Sequence, residues 1–409
     1  MIISIPGSKS YTNRALLLAA LAQGESTLHN VLISDDTNVM ITALRDLGVL
    51  IDINGTTAKI KSTGTFKKPL NPLYLGNAGT AVRFLTALLS HQSFDTKIVG
   101  TDRMHQRPIL DLIKSLEQLG ASIEHSNGCP PLTIHGKKIT ENQASIIGKN
   151  SSQYISALMM LAPLLENGLT IEVNGEITSK PYLDMTLDLM NKFIEQEAKR
   201  EGYSKFVIPH QIHQAQTLDI ESDASSASYF FGLAAITGKE LTIDNITRKT
   251  LQPDIKLLNA LEKMGCKIVE QNNRITITGP QELKALGTLN ANDFPDAAMT
   301  LSVISAFAKG ETTLTGLQNL RIKESDRLAA LHKEMTKIGV SVKENEDGLT
   351  IIGNPNQLHG ATIETYDDHR IAMCFGMAQV KITDIHILNP DCVNKTFPEF
   401  WETLTIAND

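Results

Sequence analysis

The stretch from Ile5 to Ala22, IPGSKSYTNRALLLAALA, joins a polar run holding Lys9, Ser10 and Arg14 to an apolar pattern typical of a helix. Lysine followed by serine ahead of a helix suggests phosphate binding. A Walker loop, however, needs glycine directly before that pair, and Ser8 stands there. The same juxtaposition recurs along the chain: Asn77, Gly79 and Arg83; Ser151, Ser152 and Gln153; Asp223, Ser225 and Ser226; Asp296; and Asp368, His369 and Arg370. Ser, Asn and Asp at such places cap helices, because their oxygens satisfy orphan backbone donors, and that is sufficient for Asp223, Ser225 and Ser226. Capping does not account for Lys9, Arg14, Arg83 and Arg370, since a helix N-terminus already behaves as about half a positive charge. Further cations stand where a second set of helices should begin: Arg103 and Arg107 in DRMHQRPI, Lys180 in SKPYLDMT, Arg321, Lys323 and Arg327 in NLRIKESDR, and Lys395 in NKTFPEF. Any one of them reads as solvated surface charge. As a set at repeated positions they predict convergence on a cleft between domains, where helix N-termini and guanidinium forks bind phosphate and carboxylate.

The elements that must hold these groups repeat. ALRDLGVLI, SLEQLGASI, LMNKFIEQ, ALEKMGCKI and EMTKIGVSV end helical patterns at Gly48, Gly120, Ile194, Gly265 and Gly339, at intervals of 72, 74, 71 and 74 residues. So regular a period means one supersecondary unit used again and again, and six units fit the length. A second set of helices, beginning near Arg14, Arg83, Ile155, Tyr229, Met299 and Ala372, is apolar nearly all round and should be buried. β-rich stretches such as GLTIEV and hairpin signals such as GCKIVEQNNRITITG follow. The pattern predicts two α/β domains of three units each, with buried helices inside and sheets around them.

At 409 residues the chain exceeds what one core usually supports, which also favours two domains. The composition, 42% apolar and 20% charged, is that of an ordinary globular protein. A net charge of −7 argues against nucleic acid and anionic membranes as partners, so any anion site must be local. The four cysteines, Cys129, Cys266, Cys374 and Cys392, form no CxxC pair and have no metal-ligand spacing, which fits a reducing cytoplasm and no metal site. Met1 leads directly into an apolar strand without the features of a targeting segment, and no apolar run is long enough to span a bilayer.

These residues carry a family resemblance. PGSKSYTNRALLLAALA, LGNAGTAVRFL, DRMHQRPI, SSQYISALMMLAP, SKPYLDMT, DASSASYF, PDAAMT, NLRIKESDRL, DDHRIAMCF and NKTFPEFW resemble, in order, segments of the 5-enolpyruvylshikimate-3-phosphate synthases over nearly the whole chain. The resemblance implies a two-domain inside-out α/β barrel of six βαβαββ repeats, three per domain. The domains would be 9–220, carrying most shikimate 3-phosphate contacts, and 1–8 plus 221–409, carrying the catalytic carboxylates and much of the phosphoenolpyruvate clamp. It implies transfer of the enolpyruvyl group of phosphoenolpyruvate to the 5-hydroxyl of shikimate 3-phosphate by addition and elimination, releasing phosphate on the route to chorismate. No metal or organic cofactor is implied, and a cytoplasmic monomer is expected.

Carried over residue by residue, Lys9, Ser10, Arg14, Ser151, Ser152, Gln153, Ser179, Asp296, Asn319 and Lys323 are similar to the shikimate 3-phosphate contacts. Lys9, Gly79, Arg107, Gln153, Arg327, Arg370 and Lys395 are similar to the phosphoenolpyruvate contacts, with Asn77 and Tyr182 as neighbours. Asp296 resembles the acceptor of the 5-hydroxyl proton, and Glu324 the group that moves a proton at the methylene carbon. Each carboxylate also has a plain reading. Asp296 follows Pro295 at a helix start, and Glu324 can pair with Arg327 on one helix face. His369 reads as a hydrogen-bonded spacer or an assistant. Phe84 departs from the family, many of whose members have proline after the arginine, and TRKTLQPDI is atypical and has no ligand role assigned. The sister transferase acting on a UDP-linked amino sugar carries a cysteine in the loop here written GTDRMHQRP, which has none. A P-loop phosphotransferase is opposed by the misplaced glycine. An interaction scaffold gives no reason for cations at buried helix starts.

Overall fold

The computed structural model describes residues 1–409. The chain folds as two compact units, one of Gly7–Ile220 and one of Met1–Pro6 with Glu221–Asp409. The first crossing therefore falls between Pro6 and Gly7, two residues ahead of the expected place after Ser8. Gly7 already packs on the first of these units, where a Cβ would stand 1.8 Å from the Asn30 carbonyl oxygen.

Within Gly7–Ile220, helices α1 (Lys9–Leu21), α3 (Gly79–Leu89) and α5 (Ser152–Leu161) alternate with α2 (Asp35–Asp46), α4 (Leu110–Gln118) and α6 (Pro181–Phe193). In the other unit, α7 (Ala224–Thr237), α9 (Pro295–Ser305) and α11 (His369–Gln379) alternate with α8 (Leu257–Lys263), α10 (Arg327–Lys337) and α12 (Phe400–Asn408). The odd-numbered helices are the ones apolar all round. Every residue of α7 from Ala224 to Ile236 is buried, and α7 packs on α9, on α11 and on two strands of its own repeat. A helix with neighbours on every side has no face left for polar residues except its ends. These helices begin three to five residues before the points their apolar runs suggest, for example at Lys9 rather than near Arg14. Their first turns are polar but buried, so hydrophobic periodicity starts late. The cations thus lie inside the helices rather than ahead of them.

Each full repeat contributes one sheet with a parallel first pair and an antiparallel hairpin. In the second repeat, Leu73–Tyr74 runs parallel to Thr96–Val99, which pairs antiparallel with Cys129–His135 and through it with Ser122–Ser126. The crossings complete two repeats with distant strands. His213–Gln214 and Thr217–Asp219 run parallel to Ala22–His29 in the first, and Ile2–Ile3 runs parallel to Glu240–Asp244 in the fourth. The sixth repeat differs from the expected βαβαββ form. Its sheet is only the parallel pair Thr362–Ile363 and His386–Ile387, and the chain continues into α12 instead of a hairpin. The aromatic rings of α12 replace the missing strands as a cover: Phe400 packs edge-on against Tyr229 and Phe230 of α7.

Candidate active site

In Gly7–Ile220 the polar first turns of α1, α3 and α5 gather around buried cations. Ser8 caps α1, accepting from the Tyr11 amide, and Lys9 at its first position donates Nζ to Asp36 Oδ2 at 3.0 Å, in the first turn of α2. Arg14 lies one turn further in and is 1% exposed. Its guanidinium donates to Thr186 Oγ1 at 2.8 Å, to the Ser10 carbonyl at 3.0 Å and to Ser156 Oγ at 3.5 Å. It also faces the Phe84 and Tyr182 rings at 5.1 and 5.9 Å. Hydroxyls, a carbonyl and aromatic faces accept hydrogen bonds but carry no balancing charge, and burial pushes the Arg14 guanidinium down to about 10. Phe84 thus supplies a ring face to this cation.

A second knot forms at the start of α3. Arg107 Nη1 donates to the Asn77 carbonyl at 2.9 Å and to Asn77 Oδ1 at 3.0 Å. Arg83 Nη1 donates to Gln153 Oε1 at 2.5 Å, and its guanidinium faces the Tyr154 ring at 5.3 Å. Both guanidiniums stand over Gly79. A Cβ there would lie 2.7 Å from Arg107 Nη2 and 3.1 Å from Arg83 Nη1. Ser151 caps α5 by accepting from the Gln153 amide at 3.3 Å, and Ser152 is buried beside it. Ser179 is 5% exposed, with φ of 59° in the left-handed region, and its carbonyl accepts from the Tyr182 amide at 3.2 Å. A non-glycine residue held there in a buried turn marks a constrained loop.

In the other unit one guanidinium organises three helix starts, those of α9, α10 and α11. Arg327, the first residue of α10, binds Asp368 through Nε at 2.8 Å and Nη2 at 3.1 Å, Asp296 Oδ1 through Nη1 at 3.0 Å, and Glu324 Oε2 through Nη2 at 2.9 Å. Asp368 also caps α11, and Ser325 Oγ donates to it at 2.9 Å. Arg370 Nη2 donates to Asp296 Oδ2 at 2.9 Å, and its Nη1 to the Tyr229 hydroxyl at 3.3 Å. Asp296 therefore has an arginine on each oxygen. Burial disfavours the Arg327 charge, but Asp368, Glu324 and Asp296 outweigh it and hold the guanidinium above its ordinary range. Burial likewise keeps the Tyr229 phenol neutral, well above its usual value. Glu324 and Asp296 on one planar fork form a pair of carboxyl groups close enough to act on the same small molecule.

Asn319 and Lys323 lie just ahead of Glu324, in and after the 3-10 turn Gln318–Ile322. Asn319 is buried and its Oδ1 lacks a hydrogen-bond partner. Lys395 ends the 3-10 turn Pro390–Lys395, which packs on α11. His369 is buried with Nδ1 3.7 Å from Asp368 Oδ1.

Not every cation at a predicted helix start belongs to these knots. Arg321 is taken up by Glu344 at 2.6 Å, Asp326 at 3.2 Å and the Asn345 and Glu346 carbonyls. Lys180 sits 5.8 Å from the Tyr203 ring, and Arg103 donates to Gln106. Sequence reading missed Asp36 and Tyr229, which hold Lys9 and Arg370. An acid in the first turn of a helix and an aromatic in an apolar helix are both commonplace, so no local signal distinguished them.

Known proteins match the chain over nearly its whole length. Residues 1–404 match the family described as EPSP synthase (3-phosphoshikimate 1-carboxyvinyltransferase). A 3-phosphoshikimate 1-carboxyvinyltransferase of Colwellia psychrerythraea is 43% identical, with 98% of this chain and 95% of that protein covered. One of Pseudoalteromonas translucida is 42% identical over 100% and 96%. The structure of EPSP synthase from Acinetobacter baumannii superposes with a TM-score of 0.83 at 28% identity, covering 100% of this chain and 95% of that one. Matched by the family over residues 1–404 and by relatives 42–43% identical along almost its whole length, the chain belongs to the EPSP synthase family.

Proposed function

We propose that the chain transfers the enolpyruvyl group of phosphoenolpyruvate to the 5-hydroxyl of shikimate 3-phosphate, releasing phosphate, and that the residues assigned from the family's motifs carry out the reaction. The observation that carries this reading is the sharing of the Arg327 fork by Asp296 and Glu324, with Arg370 on the second oxygen of Asp296.

The chemistry needs a base for the hydroxyl and an acid for the methylene carbon. As Asp296 takes the 5-hydroxyl proton, the oxygen adds to C2 of phosphoenolpyruvate and protonated Glu324 delivers a proton to C3, giving a tetrahedral adduct. Glu324 then takes a proton back from the new methyl group, the C2–O bond to phosphate breaks with its electron pair, and the proton on Asp296 leaves with the phosphate. The phosphate and carboxylate of phosphoenolpyruvate compete with Asp296 for Arg327 and Arg370, so binding of the anion frees the base. Lys395, Arg107 and Gly79 are assigned to the same ligand from the family's motifs, Gly79 because it has no side chain to cover its backbone N–H. Arg14, buried without a carboxylate partner, together with Lys9, Ser10, Ser151, Ser152, Gln153, Ser179 and Lys323, receives shikimate 3-phosphate, and the orphaned Asn319 Oδ1 accepts from one of its hydroxyls.

The UDP-sugar transferase reading is not favoured: the matched family and the curated relatives are the 3-phosphoshikimate enzymes, and Gly100–Pro108 holds no cysteine. Phosphate release by the purified protein tests the reading. Release is expected only with both substrates together. Release from phosphoenolpyruvate alone would make the protein a phosphatase, and no release under any condition would sink the proposal.

Gly79→Ala is expected to raise KM for phosphoenolpyruvate about tenfold, equivalent to about 1.4 kcal/mol, with KM for shikimate 3-phosphate nearly unchanged. The added methyl would meet the side-chain ends of Arg107 and Arg83 rather than backbone, so the arginines are displaced and the helix survives. Steady-state kinetics with each substrate varied in turn checks this; equal shifts in both KM values would remove Gly79 from the clamp.

A further inference from the structure

The segment Thr247–Ile255, TRKTLQPDI, has no ligand role from its sequence, yet it sits behind the catalytic candidate. Helices α7, α10 and α11 are capped by the aspartates that precede them: Asp223, Asp326 and Asp368 accept from amides of the first turn. Helix α9, which carries Asp296, is different. Its N-cap is Phe294, which has no cap hydrogen bond to offer, and its first residue is Pro295. The missing acceptor comes from elsewhere in the chain. Asp254 Oδ1 accepts from the Ala297 amide at 3.1 Å, and Asp254 Oδ2 accepts from Ser225 Oγ of α7. Two residues earlier, Gln252 Oε1 accepts from the Ala224 amide at 2.9 Å, at the start of α7. The segment therefore clips together the N-termini of α7 and α9.

Asp254 is 3% exposed, a depth at which an acid is retained only for a reason. We propose that Asp254 is a positioning residue for the reaction: its carboxylate holds the helix start on which Asp296 stands, and its negative charge makes Asp296 a stronger base. The inference rests on the role assigned to Asp296 above.

Groups on every neighbouring element bear on this pair. Asp296 projects from α9, Arg370 from α11 and Arg327 from α10; Ser225 and the neutral Tyr229 belong to α7; Lys256 is engaged outward with Asp293 at 2.6 Å. Burial first, and then the charge of Asp296, push the Asp254 carboxyl up to about 6, with Arg370 opposing. Above that pH Asp254 is anionic. Repulsion between like charges then favours the protonated form of Asp296, which is what a base needs in order to keep the proton it accepts.

Asp254→Asn keeps the acceptor for the Ala297 amide and removes the charge. The rise of kcat through about pH 6 that ionisation of Asp254 gives the unaltered protein should be lost, and kcat at neutral pH should fall about five- to tenfold, with both KM values within about twofold. A merely structural role would change kcat without removing that rise.

Thermal unfolding adds a readout independent of turnover. The folded-state pKa of Asp254 lies above its ordinary value, so its contribution to stability is present at low pH and lost as pH rises through about 6. The Tm of Asp254→Asn relative to the unaltered protein should therefore rise between pH 4 and pH 7. Ser225→Ala removes one donor from the carboxylate and should move that rise to higher pH. A rise through about pH 6 that both variants keep where the unaltered protein has it, or a Tm difference that does not change with pH, overturns the proposal. Absence of phosphate release by the unaltered protein would instead sink the functional reading, leaving the Tm comparison as the test of the linkage.

Discussion

Replacing Asp296 with asparagine is expected to lower kcat by about two to four orders of magnitude, the usual contribution of a positioned general acid or base. Asparagine matches the shape of aspartate and can still accept one hydrogen bond, but it cannot take the hydroxyl proton. In the protein as it stands, Arg327 and Arg370 are both engaged by Asp296, at 3.0 and 2.9 Å. Neutralising it removes a competitor for those guanidiniums, so KM for phosphoenolpyruvate should hold or fall while kcat collapses. That opposition of kcat and KM separates loss of a base from general damage to the site. Steady-state kinetics supplies the measurement, and a kcat within about tenfold of the unaltered protein would remove Asp296 from the chemistry.

Arg327→Ala is expected to lower stability by about 3–5 kcal/mol as well as abolish turnover, because it leaves buried carboxylates without their cation. Asp368 is fully buried and Glu324 nearly so, with side-chain exposures of 0% and 8%, and Arg327 is the hub to which Asp296 is also bound. The deficit, read from urea or thermal unfolding, should shrink as pH falls, since protonation relieves the unpaired acids. Lysine at this position keeps the charge but not the planar fork that spans Asp368 bidentately, so Arg327→Lys should recover only part of the stability. Full recovery with lysine would mean that charge alone matters and that the fork geometry does not.

The architecture was readable because it is periodic. Returns of a helical ending such as ALRDLGVLI every 71 to 74 residues, and helices apolar on every side, leave few ways to bury so much surface other than repeated α/β units. The sixth repeat broke the pattern because its hairpin is replaced by α12, whose Phe400 covers α7 with rings that look like any other apolar helix in sequence. The placement of Arg321 was also not readable. It has the same local setting as Lys323, and only the return of the hairpin Ser341–Gly353 brings Glu344 to claim it.

The sequence by itself determined which side chains stand in the first turns of which helices, because caps, cations and apolar runs are local features a few residues apart. It therefore pointed to a positive charge at a positive helix end, which holds for Lys9 and Arg370, whereas Arg14 and Arg83 lie one turn inside α1 and α3. Tertiary structure alone decided who shares a partner: that Arg327 gathers Glu324 from three residues away, Asp296 from 31 and Asp368 from 41. It also decided that α9, lacking an acid cap of its own, takes Asp254 from 43 residues upstream. Hydrogen bonds and ion pairs act over about 3 Å in space and carry no record of separation along the chain, so only the packing of whole helices brings such groups within reach.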